Sequence, residues 1–314
     1  MSSSVSQNAV VPERKPSVVA IGNFDGVHRG HQAVLKQARA LADARNLECV
    51  VLTFDPHPSV VLGRPAPPRL ASLDRRVELL RASGASEVVI QPFTKELASW
   101  SPEHFVRDLL EAKLLARVVV VGQNFRFGHK RAGDFETMKA LGKELGFDAV
   151  AADVAGDAEG PFSSTRVRGA IGAGEVVKAA EVLGRSHALT GVVEQGDKLG
   201  RTLGFPTANL GSIEEMLPPH GVYAVWVDRI DDGAPKVAHR PGVMNIGVRP
   251  TVDGTKLRVE VHLLDFEGDL YGATLRVELV ERLRGEMKFD GLPALQAQIA
   301  KDSQQAGAIL ARSR

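Results

Sequence analysis

The hydrophobic pattern of this chain changes period once, near residue 185, and each period calls for a different kind of fold. Before that point apolar residues come in short unbroken runs: SVVAI (17–21), ECVVLTF (48–54), SEVVI (86–90) and RVVVV (117–121). Such runs suit strands buried on both faces of a sheet. Helical patterns separate them. In GHQAVLKQARALADARN, Val34, Ala38, Leu41 and Ala42 fall on one helical face. In SPEHFVRDLLEAKLL, Ser101 is placed to cap a helix, with Pro102 at its first position and Glu103 in its first turn. Strands alternating with helices predict βαβ units and a parallel sheet.

After about His187 the pattern alternates. In KLRVEVHLL, Leu257, Val259, Val261 and Leu263 interleave with Arg258, Glu260 and His262. HALTGVVEQG, GVYAVWVDR and ATLRVELVER read as further strands, divided by Gly, Pro and Asp. Closely spaced antiparallel strands predict a small barrel or sandwich, and Leu292 to Leu310 reads as a closing helix. A length of 314 residues suits two domains. The expected layout is a flexible N-terminal segment (1–16), an α/β domain (17–185) and an all-β domain (186–314).

Charge and composition exclude several functions. Lys and Arg total 39 against 38 Asp and Glu, so no basic excess supports nucleic-acid binding. With 5% aromatic residues, a base-stacking surface would also be thin. Cys49 is the single cysteine, which rules out an internal disulfide and Cys-rich zinc sites; its apolar surroundings make it a core residue. The first 16 residues lack the apolar centre of a signal peptide, and no apolar stretch is long enough to span a bilayer. A cytoplasmic protein without membrane contact is expected.

The segment VVAIGNFDGVHRGHQAVL carries the most chemistry. A strand ends at Ile21, a glycine-containing loop follows, and a helix opens near Gly30. Ligands collect beyond the carboxyl ends of such strands, and helix N-termini offer N–H donors to phosphate. Gly22 and Gly26 allow close backbone approach. A turn would aim His28 and His31 at one point. By themselves the two rings also fit a solvated pair, or a metal site if further ligands were supplied. His57 in FDPHP and Asn124 and Phe127 in VGQNFRFGHKRAGD follow later strands, at the same sheet edge. FSSTRVRGAI adds Ser164, Thr165 and Arg168 at a helix start, where hydroxyls and a guanidinium can hold phosphates. GAIGAGEV lacks the third glycine and the preceding strand of a dinucleotide fingerprint, and no P-loop string occurs.

Taken together, Gly-x-Phe-Asp-Gly-x-His-x-Gly-His resembles the signature of the HxGH nucleotidyltransferases. With SSTRVR added, the first half resembles the flavin adenylyltransferases, or prokaryotic FAD synthetases. That resemblance implies a Rossmann-like domain in which His28 and His31 bind the phosphates of ATP and stabilise charge at the α-phosphate. It implies that Gly22, Phe24, Asp25, Gly26, Ser164, Thr165 and Arg168 complete the ATP site, and that His57, Asn124 and Phe127 contact FMN. Two departures stand out: Gln123 replaces an acidic residue common in the family, and HKR makes the following loop more basic.

In the second half, GDKLGRTLGFPTANL sets Gly196, Gly200 and Gly204 ahead of Pro206, Thr207 and Asn209. Glycines four apart suit a loop passing close to phosphate. Thr207 and Asn209, two apart, point the same way and offer the oxygen donors Mg²⁺ prefers. Glu260 shares its strand face with Arg258 and His262. The order GFPTAN, MNIGVRPT, VEVHLLD, LYG and RLRGEMKF resembles the riboflavin kinases. That resemblance implies a six-stranded antiparallel Greek-key barrel and an ATP site of Gly196, Lys198, Gly200, Thr207 and Asn209, with Mg²⁺ on Thr207 and Asn209. It implies Glu260 as general base and Arg284 and Phe289 on the flavin side.

The two resemblances follow one another in the order of a bifunctional flavin-cofactor family. They imply riboflavin, FMN and FAD as substrates and products, ATP as co-substrate at both sites, and Mg²⁺. Small molecules are the expected partners, with no nucleic acid and no membrane; a homo-oligomer is compatible with the sequence. Two rivals are an adenylyltransferase for another phosphometabolite, such as a phosphopantetheine or nicotinate mononucleotide, and a nucleic-acid-binding barrel beside a degenerate nucleotide sensor.

Overall fold

The computed structural model describes residues 14–196, 204–251 and 254–313. It contains two compact units. One comprises the chain up to Asn23 with His31–Ala66 and Val77–Val154; the other comprises Phe24–Gly30, Pro67–Arg76 and the chain from Ala155 onward.

The first unit is built on β1 (Ser17–Ile21), β2 (Glu48–Asp55), β3 (Glu87–Pro92), β4 (Ala116–Gly122) and β5 (Asp148–Ala152). All pair in parallel, in the order β3-β2-β1-β4-β5. The expected strands are present, and β5 (DAVAA) is an addition. Alanine is a poor strand former and β5 is an edge strand, so neither propensity nor an apolar run announced it. The helices along this stretch are α1 (Arg29–Arg45), α2 (Pro58–Val61), α3 (Leu73–Ala82), α4 (Lys95–Ser99), α5 (Pro102–His104) and α6 (Phe135–Leu145). Ser101 caps α5 as its spacing predicts, accepting the His104 N–H at 3.2 Å. The chain then widens into π-helical turns over Phe105–Lys113, which bury Phe105, Val106, Leu109 and Leu110 against the sheet core. Cys49 is fully buried, as its surroundings predict. Because β1 has β2 on one side and β4 on the other, the sheet reverses its winding there, and a crevice opens beyond the carboxyl ends of β1 and β4.

The second unit contains the small ribbon β6 (Gly156–Asp157) and β7 (Gly160–Pro161), the helices α7 (Ser164–Gly172) and α8 (Val176–Leu183), and a barrel. Its strands are β8 (His187–Glu194), β9 (Ala208–Gly211), β10 (Gly221–Arg229), β11 (Arg240–Thr251), β12 (Gly254–Leu263) and β13 (Thr274–Arg284). They close in the order β10-β11-β12-β9-β8-β13, antiparallel throughout. Closure leaves no free sheet edge. On β12 the alternation holds from Arg258 onward: Val259, Val261 and Leu263 are buried in the barrel core, and Arg258, Glu260 and His262 are half-buried on the other face, whereas Leu257, expected with the buried set, is exposed. Helix α9 (Leu292–Arg312) closes the chain, packing Ala306, Ile309 and Leu310 onto Val222, Ala224 and Trp226 of β10.

His187 opens β8 fully buried, 2.8 Å through Nε2 from the Met216 carbonyl. Burial, with Arg185 nearby, pushes its pKa down from 6.5 to about 4. The unfolded chain therefore takes up a proton at higher pH than the folded one. Stability is full above pH 6.5 and is lost as pH falls toward 4, by about 3 kcal/mol for this residue. Chemical denaturation across that range should show the loss. His187→Gln, whose amide can still donate to Met216, should reduce the slope, leaving the part due to His28, whose pKa is lowered in the same way; an unchanged slope would refute the assignment.

Candidate active sites

The chain leaves β1 through Gly22, whose N–H donates to Leu52 O at 3.1 Å, and enters a turn with positive φ at Phe24 (50°), Gly26 (79°) and Val27 (40°). A Cβ on Gly26 would stand 2.9 Å from the Leu70 side chain, so only glycine fits. The buried Asp25 carboxylate accepts the Leu70 N–H at 3.0 and 3.3 Å and pairs with Arg168, which also donates to Pro68 O at 2.8 Å. Ser164 Oγ donates to Asp25 O at 2.9 Å. Ser163 caps α7 by accepting the Arg166 N–H, which puts Ser164 and an exposed Thr165 in the first turn of that helix. Residues 139 to 143 positions apart in sequence are thus joined around one turn.

His28 follows, 5% exposed, its pKa lowered to about 4 by burial and then by Arg185 and Arg168. It is a neutral imidazole at physiological pH. A Cβ on Gly30 would stand 2.8 Å from Phe162 O and 3.0 Å from the His28 ring, which explains the glycine between the histidines. His31 lies half-buried in the first turn of α1. Arg185, outside every motif, donates to Gly26 O at 2.6 Å and Val27 O at 3.2 Å.

In the first unit His57 caps α2: its Nδ1 accepts the Ser59 N–H at 3.2 Å, and its Nε2 lies 3.3 Å from Asn23 Nδ2. Thr53 Oγ1 donates to Asn23 O at 3.1 Å, tying β2 to the loop after β1. Beyond β4, Asn124 is exposed, whereas Phe127 is buried and packs between Phe105 and Phe125, ring centroids 5.6 Å from each.

On the barrel, register does the assembly. Asn209 of β9 pairs with Glu260 of β12, which pairs with Asn245 of β11, giving a polar row across three strands. Directly paired side chains have Cβ atoms about 5 Å apart. The row lines a cavity of about 690 Å³, together with Gly196, Thr207, Arg258, His262, Arg284 and Phe289. Arg258 Nη1 lies 3.8 Å from the Glu260 carboxylate. His262 Nδ1 donates to Pro206 O at 2.8 Å, with its ring edge-on to Phe205, and so fixes the segment leading into β9. A Cβ on Gly196 would come within 2.2 Å of the Asn209 amide. Lys198 and Gly200 lie outside the described residues.

Arg284, which the sequence resemblance puts on the flavin side, is held by α9. Its Nη2 donates to the buried Asp302 at 2.8 Å and its Nε at 3.1 and 3.2 Å, while Gln298 donates to the same carboxylate at 2.8 Å. The guanidinium stands 5.8 Å from the Phe289 ring centre. Asn245, within MNIGVRPT, could be read from the sequence as a nucleotide contact or as a turn residue, and Asp302 carried no local signal; strand register and helix docking bring the two to the cavity. His262 did carry one, sharing the Glu260 face two residues on. Among the described residues no group of three or more His, Cys, Asp or Glu could hold a metal ion.

Comparison with known proteins follows the same division. The family model for FAD synthetase matches residues 10–166, and that for riboflavin kinase matches residues 183–310. The bifunctional riboflavin kinase/FMN adenylyltransferase of Escherichia coli (strain K12) is 40% identical over 286 residues, covering 91% of this chain and 90% of that protein. The protein of the same name from Pseudomonas fluorescens is 40% identical over 304 residues, covering 96% of each. A crystal structure of a macrolide-efflux protein from Streptococcus pneumoniae superposes with a TM-score of 0.82 at 31% identity, covering 93% of each chain.

Proposed function

We propose how the work is divided within this chain, which belongs to the family of bifunctional riboflavin kinase/FMN adenylyltransferases. It phosphorylates riboflavin with ATP to FMN and ADP, and adenylylates FMN with a second ATP to FAD and pyrophosphate. We assign the first reaction to residues 186–314 and the second to residues 17–185.

The register row Asn209–Glu260–Asn245 at the cavity carries the kinase assignment. Glu260 accepts the proton of the riboflavin 5′-hydroxyl as its oxygen attacks the γ-phosphorus of ATP. The bond to the ADP oxygen breaks and ADP leaves. Arg284, aimed by Asp302, and Phe289 orient the flavin. Thr207 and Asn209 suit Mg²⁺: both offer neutral oxygens, and the missing Cβ of Gly196 leaves the Asn209 amide uncovered. When bound with ATP, the ion neutralises phosphate charge.

For adenylyl transfer, an FMN phosphate oxygen attacks the α-phosphorus and pyrophosphate departs. The attacking oxygen is already ionised, so no general base is needed. His28 and His31 donate N–H bonds to the α-phosphate region, where charge builds up in the transition state. A carboxylate at such a place would repel phosphate; Asp25 avoids this through its pair with Arg168 and acts by fixing that guanidinium and Leu70. Ser164 and Thr165 open α7, whose N-terminus favours anions. Gly22, Phe24 and Gly26 bring the backbone to the nucleotide. His57 and Asn124 meet FMN, and the buried Phe127 ring sets the loop that carries Asn124.

ATP use at both sites suits the cytoplasm, and no nucleic acid is needed for either reaction. Efflux belongs to the Streptococcus pneumoniae neighbour's name alone; among the described residues no helix is long and apolar enough to cross a membrane. Incubation with riboflavin, ATP and Mg²⁺, followed by chromatography of the flavins, tests the reading. FMN should appear first and FAD after it. FMN without FAD would remove the adenylyl assignment, and unchanged riboflavin the kinase assignment.

A further inference from the structure

The turn that presents His28 is not held by the FAD synthetase segment alone. Two straps reach it from residues within the riboflavin kinase match, which begins at residue 183, whereas the FAD synthetase match ends at residue 166. The first strap is Arg185, in the short link between α8 and β8. Its Nη2 donates to Gly26 O at 2.6 Å and its Nη1 to Val27 O at 3.2 Å, with Leu183 O at 3.3 Å as a third acceptor. The second runs through the segment before β10. Met216 N–H donates to Arg69 O at 2.7 Å, and Glu215, itself buried, accepts Ser72 N–H at 3.3 Å and Thr190 N–H at 3.2 Å. These contacts fix residues 69–72, from which Leu70 donates to Asp25.

Geometry explains why such straps are needed. Phe24 and Val27 both hold positive φ, a conformation that costs a non-glycine residue of order 1 kcal/mol or more and persists only where the surroundings enforce it. Arg185 grips the carbonyls of Gly26 and Val27, the two residues just before His28. A planar guanidinium can hold two diverging carbonyls at once, and an ammonium on a flexible stem cannot hold both with the same precision.

We propose that Arg185 is a positioning residue for adenylyl transfer: the last residue of the segment assigned to that reaction, and beyond the end of the FAD synthetase match, it holds the turn that aims His28. The proposal rests on the adenylyl-transfer reading of His28 given above. The cationic charge of Arg185 beside the ring also opposes protonation of His28, whose pKa burial already lowers. Arg185 touches no substrate in this scheme. It acts through the backbone of Gly26 and Val27 and through its charge beside His28, so it should alter turnover more than ATP binding.

The test uses the full chain and reads both activities from one preparation. Arg185→Gln should lower kcat for FAD formation from FMN and ATP by about 10–100-fold, the loss expected when a reacting group is misplaced by about 1 Å. KM for ATP should stay near that of the parent chain, and riboflavin phosphorylation should be unchanged. Arg185→Lys should recover part of the lost turnover. His28→Ala, measured alongside, separates the two readings: if it leaves FAD formation intact, the adenylyl site itself has been misassigned. If His28→Ala abolishes FAD formation while Arg185→Gln keeps the parent kcat, the positioning role alone is overturned. Equal loss of both activities in Arg185→Gln, or a raised KM with unchanged kcat, would also overturn it. Should Arg185→Gln fail to fold, Arg185→Lys decides: a compact ammonium on a flexible stem in place of the planar bidentate grip must lower adenylyl kcat, and parent-level turnover refutes the proposal.

Discussion

Glu260→Gln should lower riboflavin phosphorylation by about 10²–10⁴-fold, the usual contribution of a positioned base, while FAD formation from supplied FMN is unchanged. The substitution keeps side-chain volume and leaves an amide between Asn209 and Asn245 in the same register row. Packing of β12 is therefore preserved, and the lost property is proton acceptance. The neighbouring Arg258, 3.8 Å from the carboxylate, loses an ion pair that is partly exposed and so worth little to stability. Riboflavin KM should move little, since the proposed scheme gives the flavin contacts to Arg284 and Phe289. Two assays on one protein, one started from riboflavin and one from FMN, check this. Parent-level phosphorylation would remove Glu260 as the base, and loss of both activities in a folded chain would show that the two reactions do not have separate sites.

Much of this arrangement is legible in the chain. The alternation on β12 puts Glu260, Arg258 and His262 on one face without any structure, and the unbroken runs of β1, β2 and β4 mark a sheet covered on both sides. What could not be read is whatever depends on contacts between distant segments. Asn245 reaches the cavity only because β11 pairs with β12 in one register. Asp302 meets Arg284 only because its helix docks through the apolar residues Ala306, Ile309 and Leu310 on the same face. Phe127 sits in an exposed-looking loop sequence, yet its ring is drawn into the core between two other phenylalanines. β5 escaped notice because its alanines carry neither propensity nor pattern. Motifs are legible because close approach to phosphate demands particular residue types in a row; the groups that hold motifs in place need only be near in space.

His31→Ala should cut FAD formation by about 10²–10³-fold, the cost of removing one donor to a developing charge, and should leave FMN formation intact. His31 stands in the first turn of α1, where the free N–H groups of the helix already favour an anion. In the proposed scheme its ring adds a donor to that anion, and alanine keeps the helix while removing only that donor. The consequence in a coupled assay is accumulation of FMN from riboflavin and ATP, with FAD appearing only at long times. Because charge at the α-phosphate grows between the bound complex and the transition state, the loss should fall on kcat more than on the KM for ATP. A variant that binds ATP poorly but turns over normally would assign His31 to nucleotide binding alone. Equal loss of FMN and FAD formation in a folded chain would remove the separation of the two sites on which both assignments depend.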